Sequence, residues 1–92
     1  MNLTDAKAEL EPILEQITSL MDDSTIPRNI RQTLKEAVEK LRRAGTDEGT
    51  VALSSVMYKL DDVNNDVNMP SHTRTEIWSL ISALESLKEK LK

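Results

Sequence analysis

Leu3, Ala6, Leu10, Ile13, Ile17 and Leu20 recur at alternating steps of three and four residues, and Leu14 and Met21 widen the stripe. That spacing puts them on one face of an amphipathic helix. It predicts a first helix over about Thr4 to Met21, capped by Thr4 and with Asp5 at the positive end of its dipole. Pro12 is discordant inside it, because a missing N–H and a clash with the Ala8 carbonyl cost about 3 kcal/mol. A kink, or a separate first turn, is expected there. After Asp22-Asp23-Ser24-Thr25, Pro27 opens a second helix to about Ala44, with Ile30, Leu34, Ala37, Val38, Leu41 and Ala44 as its stripe. Gly45 suits a left-handed residue past its end, and Arg42 and Arg43 suit the negative end of the dipole.

Gly45-Thr46-Asp47-Glu48-Gly49-Thr50 reads as a loop, with Thr46 or Asp47 as the next cap. Val51, Leu53, Val56, Met57, Leu60, Val63 and Val67 form the third stripe, and Ile77, Leu80, Ile81, Leu84, Leu87 and Leu91 the fourth. Pro70, with a fixed φ and no N–H to leave unpaired, places the start of the last helix. Asn64, Asn65, Asp66 and Asn68 favour local side-chain bonds to the backbone, which end the helix before it. No stretch alternates with period two long enough for a strand.

The halves align at an offset of 43 residues. Leu10, Ile13, Leu14, Ile17 and Leu20 fall on Leu53, Val56, Met57, Leu60 and Val63, while Asp23, Pro27, Arg31 and Leu41 meet Asp66, Pro70, Arg74 and Leu84 unchanged. Heptad-like stripes match one another by chance, but an Asp-x-x-x-Pro-x-x-x-Arg at both turns is harder to obtain that way. Residues 1–92 therefore read as one all-α domain, an up-down-up-down four-helix bundle of two duplicated helical hairpins, the repeats being about 3–45 and 46–92.

Composition narrows the function. The chain has no Cys, which removes disulfides and thiolate metal sites, and its 2% aromatic content leaves the core to aliphatic residues. The N-terminus mixes acids with Leu, unlike a signal peptide, and no apolar run reaches the ~18 residues of a membrane span. A soluble, cytoplasmic protein is expected. Charge is unevenly divided: residues 1–23 carry −5, the second helix +4, residues 47–66 −4 and the remainder +1. Neighbouring helices of opposite sign account for this most simply. The other reading is a nucleic-acid face of Arg28, Arg31, Lys35 and Arg42, but Glu39 interrupts it, stacking aromatics are missing and a pI near 4.9 opposes it.

Candidate chemistry is sparse. Arg31 and Arg74 lie one helical turn past Pro27 and Pro70, in reach of Asp23 or Asp66, so structural ion pairs are the ordinary reading and a phosphate or carboxylate site the sharper one. His72 precedes Glu76 by four residues, two ligands short of a metal site, and no Glu-x-x-His pair is present. Asp62-Val63-Asn64-Asn65-Asp66 resembles the start of a calcium loop, yet Val67 stands where Gly is needed and Thr73 where the bidentate Glu belongs. No nucleophile elbow or Gly-rich phosphate loop is visible, so neither a metal, a cofactor nor catalysis is expected. Trp78 and Tyr58 are the aromatic residues; each either covers a seam between helices or anchors a partner or second copy.

The run Asn68-Met69-Pro70-Ser71-His72-Thr73-Arg74-Thr75-Glu76-Ile77-Trp78, with Pro27-Arg28-Asn29-Ile30-Arg31 at the first turn, resembles an archaeal group of small proteins, uncharacterised protein family 0147. The resemblance covers nearly the whole chain, although Val67 and Ser71 stand where bulkier residues or Pro would be expected. It implies a cytosolic all-helical protein and carries no catalytic residues. A non-enzymatic interaction or scaffold module is the leading functional expectation. An RNA- or nucleotide-associated accessory protein using the second helix and the paired Arg turns is the alternative.

Overall fold

The computed structural model describes residues 7–43 and 49–91, which form four helices: α1 (Lys7–Met21), α2 (Arg28–Arg43), α3 (Gly49–Asn64) and α4 (Ser71–Leu91). No strand occurs among the described residues. Each helix packs on the next, α4 closes on α1, and the diagonal pairs make no close backbone approach. This ring of antiparallel neighbours is the four-helix bundle expected from the stripes, 37 Å long and about 19 by 18 Å across. The expected Thr4 cap, Asp5, Gly45, the Thr46 or Asp47 cap and the stripe residues Leu3, Ala6 and Ala44 lie outside the described residues.

The stripes are the core. Leu10, Ile13, Leu14, Ile17 and Leu20 of α1 meet Ile30, Leu34, Ala37, Val38 and Leu41 of α2, and Leu53, Val56, Leu60 and Val63 of α3 meet Ile77, Leu80, Leu84 and Leu87 of α4. Each fully buried aliphatic side chain contributes roughly 1.5–3 kcal/mol against the ordering entropy. Met21, Met57, Ile81 and Leu91 pack on the margin of this cluster.

Two stripe positions differ from expectation. Val51 is 68% exposed, because it stands two residues, some 200°, from Leu53 on the α3 wheel; Ala52 occupies the inner face in its place. Val67 is 88% exposed, because α3 ends at Asn64 and the chain has left the helical period before reaching it. Conversely, Ile26 and Met69 are buried although neither lies in a helix. Both precede a proline, which holds them in extended backbone that turns the side chain under the hairpin.

The helix starts also shift by one residue. α2 and α4 begin at Arg28 and Ser71, so Pro27 and Pro70 sit just outside them, and their carbonyls accept the first helical bonds, from Arg31 and Arg74 at 3.0 and 3.1 Å. Pro12 lies inside α1, which runs as one helix through it with no separate first turn. Pro12 and Ala8 are both exposed, so the carbonyl that loses its donor faces water, and this is why the helix tolerates the residue. Pro12→Ala should therefore stabilise the bundle by about 1–3 kcal/mol, by restoring that bond and removing the ring clash, read as a rise in the thermal midpoint. A lower midpoint would show that the fold uses the proline.

Candidate functional site

Both hairpin turns lie at one end of the bundle, since α1 and α3 run toward it and α2 and α4 away. Their main-chain hydrogen bonds match at an offset of 43. Asp22, Asp23 and Ile26 donate their N–H groups to the carbonyls of Ser19, Leu20 and Asp23 at 3.2, 3.1 and 3.2 Å, and Asn65, Asp66 and Met69 donate to Asp62, Val63 and Asp66 at 3.2, 3.1 and 3.1 Å. The turn carboxylates close local loops: Asp23 Oδ1 accepts the Thr25 N–H at 2.9 Å, and Asp66 Oδ1 accepts the Asn68 N–H at 2.8 Å. Asp23 and Asp66 thus close the two turns, and Pro27 and Pro70 stand just before α2 and α4.

The arginines do not pair with those carboxylates as expected. Arg74 Nη2 donates to the main-chain carbonyl of Asp66 at 2.9 Å, and no ion pair joins Arg31 or Arg74 to Asp23 or Asp66 within 4.0 Å. The physical reason is that each turn carboxylate is already engaged in its own loop, whereas the carbonyls ending α1 and α3 need donors. Arg31 makes no such bond and acts on Asp23 only at longer range. Arg31 Nε and Arg74 Nε are both buried without a hydrogen-bond partner at this end of the bundle, and neither side chain pairs with a turn carboxylate.

The Asp23 carboxyl is held below the usual aspartate range. The main cause is the Thr25 hydroxyl, which donates to it at 2.6 Å, followed by the Thr25 N–H and the charges of His72 and Arg31. His72, exposed in the first turn of α4, thus lies within electrostatic range of the other hairpin's turn. No group of three or more His, Asp or Glu residues suited to a metal occurs among the described residues.

Elsewhere the surface is uneven. Tyr58 is 81% exposed and Trp78 59%. Tyr58 stands opposite the inner face of α3, on its outermost line with Val51 seven residues before it, and not on the flank beside Met57. Interhelical ion pairs are Lys59–Glu36 at 4.0 Å and Lys90–Glu9 at 2.6 Å; among the described residues none joins acidic α1 to basic α2. A shallow groove of about 610 Å³ between α2 and α3, lined by Glu36, Glu39, Lys40, Arg43, Val51, Ala52 and Lys59, mixes both charges. Asn64, expected to bond the backbone beyond the helix, is instead the last residue of α3 and buried with its Oδ1 unpartnered, and Thr73 is a second buried polar residue. Their signal was the offset itself, since they stand where the first hairpin has Met21 and Ile30.

Three outcomes follow from the turns. Arg74→Ala should cost about 1–2 kcal/mol, for a lost charge-assisted bond, and Arg31→Ala under ~1 kcal/mol. In chemical denaturation Asp66→Asn and Arg74→Ala should add within ~0.5 kcal/mol, because the arginine binds the main chain; strong coupling would restore the carboxylate pair. Thr25→Val should raise the Asp23 pKa toward 3.8, read by NMR titration. A carboxyl lowered by folding stabilises above its unfolded value, so the Asp23 contribution is present above pH 3.8 and is lost as pH falls through the lower folded value.

The chain is similar in sequence and in overall fold to known proteins. The chain is 42% identical over 82 residues to a UPF0147 protein of Methanocaldococcus jannaschii, covering 85% of this chain and 87% of that one. A UPF0147 protein of Archaeoglobus fulgidus is also 42% identical over 82 residues, covering 89% and 92%. The crystal structure of the unknown-function protein MMP1188 aligns with a TM-score of 0.76 at 38% identity, over 84% of this chain and 86% of that one. The model of the Uncharacterised protein family UPF0147 matches residues 1–87, and the chain belongs to that family.

Proposed function

We propose that the protein is a non-catalytic interaction module that works in the cytoplasm and binds a protein partner through the outer face of α3 and the Trp78 side of α4. The observation that carries this reading is the placement of the aromatics: both stand in solvent while aliphatic residues alone fill the core. Tyr and Trp are the side chains most enriched at binding hot spots, and a domain of this size gains from covering them. No helix among the described residues is long and apolar enough to cross a membrane, which is compatible with that compartment.

A second reading is favoured by one observation. Arg28, Lys35 and Arg42 are exposed on one flank of α2 and make no ion pair among the described residues, which leaves their charge available to a polyanion such as RNA.

Tyr58→Lys and Trp78→Lys together should leave helicity and the thermal midpoint within a few degrees of the parent, since neither residue is in the core. The pair should abolish retention of a protein captured from native lysate, with or without nuclease. Loss of the captured proteins on nuclease treatment, and on Arg28, Lys35 and Arg42→Gln, would replace the first reading with the second. Unchanged capture by both variants would sink both.

A further inference from the structure

Among the described residues, the buried side-chain polar atoms without a hydrogen-bond partner are Arg31 Nε, Asn64 Oδ1, Thr73 Oγ1 and Arg74 Nε. All four lie at the turn end of the bundle. The arginine atoms belong to partly exposed residues, but Asn64 is 6% exposed and Thr73 0%. Asn64 is the last inward residue of α3 and Thr73 the first of α4. They stand where the first hairpin has Met21 and Ile30, which belong to its apolar packing. Two apolar residues at one level of one hairpin are thus matched by two polar ones at the same level of the other. Met69, 4% exposed, occupies the turn between them and the solvent.

We propose that the α3–α4 hairpin encloses a binding site for one water molecule, bridging Asn64 Oδ1 and Thr73 Oγ1. Asn is shorter than Met and Thr lacks the terminal methyl of Ile, so the pair fills less of the space between the helices. Buried oxygens left unpaired are costly, and a water with two to four polar partners removes that cost. The water donates one proton to the Asn64 carbonyl oxygen and exchanges a hydrogen bond with the Thr73 hydroxyl. The last carbonyls of α3 offer a further acceptor to its second proton. A mixed donor and acceptor demand suits water better than an ion, and the two guanidinium groups in the adjoining turns oppose a cation.

The test is a high-resolution crystal structure of the full chain beside a double-mutant cycle using the first hairpin's residues, Asn64→Met and Thr73→Ile. The expected results are density for one water between the two side chains, and single variants that each lower the thermal midpoint by several degrees, since each leaves the other oxygen unpaired. The double variant should lose the water and return to the parent midpoint or above it. Three results would overturn the site: a direct Asn64–Thr73 hydrogen bond with no water, losses that simply add in the double variant, or a midpoint that climbs with K⁺ or Na⁺ at constant ionic strength together with ion-like coordination. If a variant fails to fold, the parent's density alone decides.

Discussion

Interdigitation of branched aliphatic side chains across the ring of four helices is the interaction on which everything else rests. With no Phe and both remaining aromatics outside, the core has no large flat side chain to fill gaps, and its stability depends on close fit among Leu, Ile, Val, Ala and Met. Such a core accepts only one register between helices, because a rotation of 100° on any of them would trade a buried Leu or Ile for a charged neighbour. The register is set at the turn end. There the residues before the prolines, Ile26 and Met69, plug each hairpin from below, and the Asp23 and Asp66 loops fix the reversal of the chain.

The four stripes were legible in the sequence because a helix repeats its inner face every three or four residues, and a periodic run in each of four segments leaves little room for another pattern. What was not legible lies where the period stops. Val67 continues the apolar rhythm by one step after the helix has ended, and Val51 anticipates it from the wrong side of the wheel. Ile26 and Met69 have no period to announce them, since their burial depends on how two helices meet. The Asp-Arg repetition was visible, but the partner was mistaken: spacing places a guanidinium near a turn and does not say whether a carboxylate or a carbonyl there is free to accept. Arg74 found the carbonyl.

The surface reading follows from the same division. Charges that looked as if they would be used up between neighbouring helices are mostly left facing water, so α2 keeps an unpaired basic flank beside an acidic α1. Family membership extends the fold to archaeal relatives without adding chemistry, and function has to be sought in what the bundle displays. Tyr58, Val51 and Trp78 on one side and the α2 cations on another are the features that folding leaves unexplained.

The outward position of the aromatics has an optical consequence. Tyr58 and Trp78 are the chain's chromophores in the near ultraviolet, and both are mainly exposed, outside the buried core. Near-ultraviolet dichroism of the folded monomer should be weak, and Trp emission should resemble that of the unfolded chain, so neither signal reports loss of the core. The amide band in the far ultraviolet is the one that follows unfolding. The aromatic signals are left silent until something covers those two side chains.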